Sequence, residues 1–251
     1  MIIFKIHILY WVMAFVCAFS GIFKNFLYFT LLIVIHELGH FLAAKMFKWK
    51  VDKIIILPFG GITIFNDFLS KSLLEEFIIL LLGPLFQIIF YTIYIKIFGF
   101  NEILRNYHYS LLIFNMLPIF PLDGFKLLNI VINKFFSFKK SHLIAIITSI
   151  ITLIIFIYIL IFYKFGFIMF LATIFLLYKN IEEFLNHDFI FNKFLLERYI
   201  YNINLKKVKI INSNKLEKMK REYKHIFYYN KKYETEKNIL KKKFDIKSKV
   251  C

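Results

Sequence analysis

Apolar positions in this chain are grouped in blocks rather than spaced at the helical or strand period. Residues 144–162 and 165–178 contain no charged side chain. Runs of that kind approach the ~20 residues needed to cross a hydrocarbon core. The blocks predict six hydrophobic helical segments, near residues 6–23, 26–47, 73–98, 106–135 (broken by prolines), 142–163 and 165–181. Between the second and third, two β-branched runs flank Pro58-Phe59-Gly60-Gly61, so residues 51–65 read as a short β-hairpin. Beyond residue 181 the chain turns polar, with a strand expected over 204–211 and helices over 214–223 and 235–244. The expected fold class is an all-α polytopic membrane protein of about six transmembrane helices, with a membrane-associated β-hairpin. A membrane domain, 1–181, would precede a basic cytoplasmic segment, 182–251.

Composition supports the membrane reading. Of 251 residues 60% are hydrophobic, at a mean hydropathy of +0.67, more than a soluble domain carries. The net charge of +17 is uneven, because residues 179–251 hold 19 Lys and Arg against 9 Asp and Glu. Beside membrane helices such charge faces the cytoplasm and anionic lipid. No recognition motif accompanies it, so the expected partner is the bilayer and not nucleic acid. Lys45, Lys48, Lys50, Lys53 and Lys71 share one side with Lys134, Lys139 and Lys140, whereas the opposite loops hold Lys24, Arg105 and Lys164. By the positive-inside rule both termini are expected in the cytoplasm. The N-terminal apolar stretch lacks a small-residue cleavage site and reads as a retained first span. Two cysteines, Cys17 and Cys251, exclude a disulfide framework and a thiolate metal site, so any metal must use His and carboxylates.

The candidate chemistry begins at His36-Glu37-Leu38-Gly39-His40 in the second segment. Residues four apart share a helix face, so both imidazoles can reach one zinc ion, with Glu37 beside them to take a proton from water. With seven His and eleven Glu in the chain, this spacing arises by chance in roughly one such chain in a hundred. Its setting tells more strongly against chance. An ionised residue in mid-span costs on the order of 2.5–3.5 kcal/mol, so three in one turn point to function. Two His leave zinc short of a protein ligand. Asp123 is the strongest candidate, in Asn115-Met116-Leu117-Pro118-Ile119-Phe120-Pro121-Leu122-Asp123-Gly124, where two prolines break the helix. Irregular backbone at membrane depth is tolerated when it lines a cavity. The competing reading is that Asp123 merely caps the following helix. Gly39 would allow a close backbone approach, and Gln87 would point the same way as Gly83 of Gly83-Pro84. Glu75 and Glu76 read as residues at the cytoplasmic end of the third segment, and His108 and His142 as interfacial. All four prolines (58, 84, 118 and 121) fall in the motif-bearing regions, which argues for a shaped cavity.

The ordered set HELGH, LPFGG, GPLFQ and NMLPIFPLDG resembles the site-2 protease family of intramembrane metallopeptidases (peptidase M50), in the spacing of its sporulation branch. The likeness is close over residues 30–130. It implies one Zn2+ on His36, His40 and Asp123, with Glu37 catalytic. It implies that Asn115 positions substrate or stabilises the oxyanion, and that Gly60, Gly61 and Pro118 belong to the substrate path. It also implies a protein substrate, a membrane-associated precursor of a sigma factor, together with inhibitory membrane partners. The expected location is the mother-cell side of the membrane around the forespore. The alternatives are another substrate, such as an anti-sigma factor or a signal-peptide remnant, and a non-catalytic zinc scaffold. Phe125 stands where the family often has a second Gly, and Gln87 where Asn is common.

Overall fold

In the computed structural model, which describes residues 3–65, 71–163, 167–201, 205 and 207–247, the apolar blocks become helices of unequal length. They are α1 (Ile8–Phe19), α2 (Phe23–Met46), α3 (Leu73–Phe98), α4 (Glu102–Met116), α5 (Asp123–Phe135), α6 (Phe138–Tyr163) and α7 (Phe167–Leu185). Among the described residues α2, α3 and Phe138–Phe162 of α6 are long and apolar enough to cross a membrane. Three helices among the described residues meet that length and composition, and the expected count of about six is not confirmed. The 12 residues of α1 rise about 18 Å, short of a core about 30 Å thick. Ile6, at the edge of the expected first span, ends a strand, β1 (Ile3–Ile6). The fourth block is broken, as expected, into α4 and α5. The last apolar helix, α7, carries Lys179, Glu182 and Glu183 near its end, and the turn with Lys164 lies outside the described residues.

The fold is mostly helical rather than all-α, because two three-stranded sheets accompany the helices. The expected hairpin is present as β2 (Val51–Leu57) and β3 (Gly60–Phe65), paired antiparallel from Val51↔Phe65 to Leu57↔Gly60. β1 adds in parallel to the other side of β2, Ile3 opposite Lys53 and Ile6 opposite Ile56, which leaves β3 at an edge. The hairpin tip is packed inside the protein. Leu57 and Phe59 join Phe114, Ile119, Leu153, Ala172 and Leu176 in one buried cluster.

The C-terminal part contains α8 (His187–Ile200), β4 (Lys207–Ile211), β5 (Tyr223–Tyr229), β6 (Lys232–Thr235) and α9 (Glu236–Lys247). The helix expected over 214–223 is overturned. That stretch holds one 3-10 turn, Leu216–Lys218, and gives way to β5, whose alternate residues His225 and Phe227 point into the interior. The strand near 204–211 and the helix near 235–244 are found as β4 and α9, and residues 204 and 206 lie outside the described set. Phe138, Phe194, Leu195, Met219, Phe227 and Leu240 form the core of this part. It is tied to the membrane helices through α8, whose Asp188 pairs with Lys139 at 3.0 Å and whose Phe194 stacks on Phe138, and through residues 219–222. Arg221 pairs with buried Glu76 at 2.6 Å, Glu222 accepts from the Leu73 amide at 3.2 Å, and Phe138 N–H donates to the Met219 carbonyl at 2.9 Å.

Candidate metal centre and active site

The site is assembled where α2 crosses α3 at very short range. A Cβ on Gly39 would lie 2.4 Å from the Leu82 carbonyl oxygen, and one on Gly83 would lie 2.3 Å from the His40 ring. Only residues without a side chain let the two backbones and the imidazole share this space. His36 and His40 then stand on the same face of α2, both buried. Their Nε2 atoms are 3.1 Å apart, and Asp123 Oδ2 lies 3.1 Å from the first and 2.9 Å from the second. In a tetrahedral zinc site with bonds of about 2.0 Å, neighbouring ligand atoms are about 3.3 Å apart. The three donors therefore fit one zinc ion, and three protein ligands leave a fourth position for water or substrate.

The atoms facing away from this triangle are held as firmly. His40 Nδ1 lies 2.8 Å from the Ile79 carbonyl, which can only accept, so the proton is on Nδ1 and the Nε2 lone pair faces the triangle. His36 Nδ1 lies 3.0 Å from Gln87 Oε1, and Lys126 Nζ donates to Asp123 Oδ1 at 3.2 Å. The acceptors on the two imidazoles orient them and raise their basicity, whereas the Lys126 ammonium orients the Asp123 carboxylate and does not make it more basic. Gln87 therefore takes the role of fixing a ligand candidate, a role that its spacing from Gly83 did not reveal.

Asp123 reaches the site from a break in the membrane helices. α4 ends at Met116, and residues 117–122 form tight turns, with Ile119 N–H bonded to Leu117 O and Leu122 N–H to Ile119 O, both at 2.8 Å. The stranded groups of Phe120 are met by polar side chains from two other helices. Ser149 of α6 accepts from Phe120 N–H at 2.8 Å, and Asn180 of α7 donates to Phe120 O at 3.0 Å. Ser149 also donates to Asn180 Oδ1. These bonds satisfy the backbone groups that the break leaves without helical partners. The N-cap of α5 is Leu122, and Asp123 is the first helical residue, its carboxylate turned to the triangle. Capping therefore does not account for it. Gly124 is again obligatory, since a Cβ there would lie 2.2 Å from the Met116 carbonyl. Phe125 is absorbed without loss, buried against Ala145 and Ile146.

Glu37 is buried, and its Oε2 accepts from Thr63 Oγ1 of β3 at 2.6 Å. A Cβ on Gly61 would fall 2.4 Å from the Glu37 side chain, so the hairpin passes directly over the carboxylate. A Cβ on Gly60 would meet nothing within 4 Å, and Pro118 lies half-buried in the helix break. Asn115 is buried with its Nδ2 3.4 Å from His36 Nε2. Four consecutive β3 residues, Ile62–Phe65, line a cavity of about 540 Å3 together with Phe120, Pro121, Phe125 and Lys126. A pocket lined mainly by apolar side chains, reached by an unpaired strand edge, suits an extended peptide.

Sequence reasoning missed Thr63, Ser149 and Asn180, and the partners of two histidines. His108 is buried, with Gln87 Nε2 3.3 Å from its Nδ1 and its ring stacked on Tyr91. His142 is buried too, between Glu183 at 2.8 Å and His187 at 2.9 Å. A polar side chain amid apolar neighbours was a usable signal for all of them except Thr63.

Residues 24–103 match the family model of peptidase family M50. Over 208 residues the chain is 32% identical to stage IV sporulation protein FB of Bacillus subtilis, covering 79% of this chain and 72% of that protein. Over 123 residues it is 33% identical to a zinc metalloprotease of Methanocaldococcus jannaschii, covering 45% of this chain and 35% of that one. The solved site-2 protease from Methanocaldococcus jannaschii superimposes with a TM-score of 0.58 at 25% identity, over 72% of this chain and 90% of that one.

Proposed function

This chain belongs to peptidase family M50 and is a metalloprotease of the site-2 type, and from that premise we propose that it cleaves a membrane-associated protein near the cytoplasmic face. One observation carries the reading. Three ligand candidates converge to within about 3 Å of one another beside a buried carboxylate, among helices long enough to span a bilayer.

His36, His40 and Asp123 would hold the zinc. When bound, the ion supplies Lewis acidity to the scissile carbonyl and the attacking water. Glu37 takes a proton from that water and returns it to the leaving amine. The Thr63 hydroxyl occupies its Oε2, which leaves Oε1 for the proton. Asn115 Nδ2 is placed to donate to the developing oxyanion. A helical substrate hides its peptide bonds, so it must unwind first. The free edge of β3 then receives it as an added strand, with Gly60, Gly61 and Pro118 bounding its path.

The likeness to stage IV sporulation protein FB supports a precursor sigma factor as the substrate, processed during sporulation, and the basic loops support cytoplasmic termini. The test is co-expression with the host's precursor sigma factor. Glu37→Gln abolishes processing while the protein still inserts and still binds zinc. Processing at the wild-type rate by that variant would sink the mechanism. A wild-type chain that cleaves other membrane peptides but spares the precursor would overturn the substrate alone.

A further inference from the structure

A buried chain of contacts runs from His36 away from the metal-facing side, and its far end has no role in the mechanism above. His36 Nδ1 is 3.0 Å from Gln87 Oε1. Gln87 Nε2 is 3.0 Å from the main-chain carbonyl of His108 and 3.3 Å from His108 Nδ1. The His108 ring lies on Tyr91, centroids 4.1 Å apart and planes within 12°. Exposure is 1% at His36, 0% at Gln87 and 3% at His108, so no solvent competes for these atoms.

Donor and acceptor logic then runs in one direction. A glutamine amide can stand either way round, and only its partners decide which. The His108 carbonyl can only accept, so the amide nitrogen must face it. The second amide hydrogen goes to His108 Nδ1, and the Tyr91 stack holds that ring at the angle required. Oε1 is thereby turned to His36 and can only accept. His36 must carry its proton on Nδ1, and its Nε2 keeps the lone pair that a metal requires.

We propose that His108 is a positioning residue of the metal centre, locking the orientation of Gln87 and through it the tautomer and ring plane of His36. The proposal rests on the reading of His36 as a ligand.

The test uses the full chain in detergent, with Zn2+ affinity measured by competition against a chelator. His108→Phe keeps a flat ring on Tyr91 but removes the acceptor, and zinc binding weakens by about 10- to 100-fold. His108→Asn places an acceptor oxygen where Nδ1 stood and restores affinity to within about threefold of wild type, the recovery expected when the lost contact is replaced. Wild-type affinity in H108F overturns the proposal, as does an H108N variant no better than H108F. Independently, 15N spectra of the histidine-labelled, metal-free wild type read the tautomer, with H36Q identifying the resonance. A proton on Nε2 of His36 overturns the proposal without any substitution at 108. His36→Ala and Asp123→Ala separate the two layers. If they keep full zinc affinity the ligand reading fails, whereas if they lose zinc and H108F does not, the positioning role alone fails.

Discussion

Replacing Gly83 by Ala tests whether the α2–α3 crossing sets the metal centre. The added methyl would stand 2.3 Å from His40 Cε1 and Nε2, where ordinary contact begins near 3.4 Å, so roughly 1 Å must be found. The ring cannot yield cheaply. Its Nδ1 is bonded to the Ile79 carbonyl at 2.8 Å, and its edge lies against His36 with centroids 4.8 Å apart. Moving it breaks that bond or drives Nε2 out of the ligand triangle. A displacement of about 1 Å at reacting groups costs on the order of 100-fold in rate, equivalent to about 2.7 kcal/mol. Gly83→Ala should therefore lower kcat/KM by about 100-fold and weaken zinc binding in parallel. The assay is precursor cleavage alongside zinc competition on the purified chain. Ile89→Ala, a 54% exposed position on the same helix, is the control for general damage to α3. Full activity and full zinc affinity in G83A would refute the placement of His40 and, with it, the ligand triangle.

Other perturbations address the supports around the site. Asn180→Leu leaves the Phe120 carbonyl without its partner at membrane depth and should cost about 1–3 kcal/mol in thermal unfolding. An unchanged melting curve would mean the helix break is satisfied in another way. Lys126→Met frees Asp123 Oδ1, so zinc affinity should fall about 10-fold, with Lys126→Arg recovering part of it. Equal affinities in all three proteins would remove Lys126 from the centre. The C-terminal part should loosen in acid. Burial pushes the His225 imidazole below its ordinary value near 6.5. Burial alone would raise the Glu236 carboxyl, but the His225 hydrogen bond and the Arg198 guanidinium hold it below 4.5. Both groups bind fewer protons folded than unfolded, so stability falls as pH drops below about 6.5 for His225 and below about 4.5 for Glu236. Hydrogen-exchange protection over 207–247, corrected for the intrinsic pH dependence of amide exchange, should fall from pH 7 to pH 4, and constant protection would count against this pairing.

How much could be read from the chain differs between the parts of the site. HELGH declares itself because helical periodicity alone puts positions 36 and 40 on one face, and because charge in an apolar run is costly. Asp123 was legible for a related reason, since two prolines must interrupt the helix around it. Gly39, Gly83 and Gly124 were visible as small residues, but what each one clears space for was not. Thr63 over Glu37, Ser149 and Asn180 on Phe120, and His108 behind Gln87 join positions 21 to 60 residues apart. No local pattern encodes such pairings, because they depend on which faces of separate helices meet.

The same division holds for the fold. Hydropathy and motif spacing by themselves pointed to a membrane protein, to a polar C-terminal segment, and to the candidate residues for the chemistry. Each of these follows from the local cost of placing polar groups in hydrocarbon. The parallel strand β1 and the sheet over 207–235 were decided only by tertiary structure. A segment such as residues 3–19 can be helix, strand or both until a partner satisfies its backbone groups, and β2 is that partner for Ile3–Ile6. The metal centre shows both kinds of information at once. Its three ligand candidates were readable from spacing and composition. Their protonation state and their distances were set by Ile79, Gln87 and Lys126, whose backbone or side-chain atoms reach them only in the folded chain.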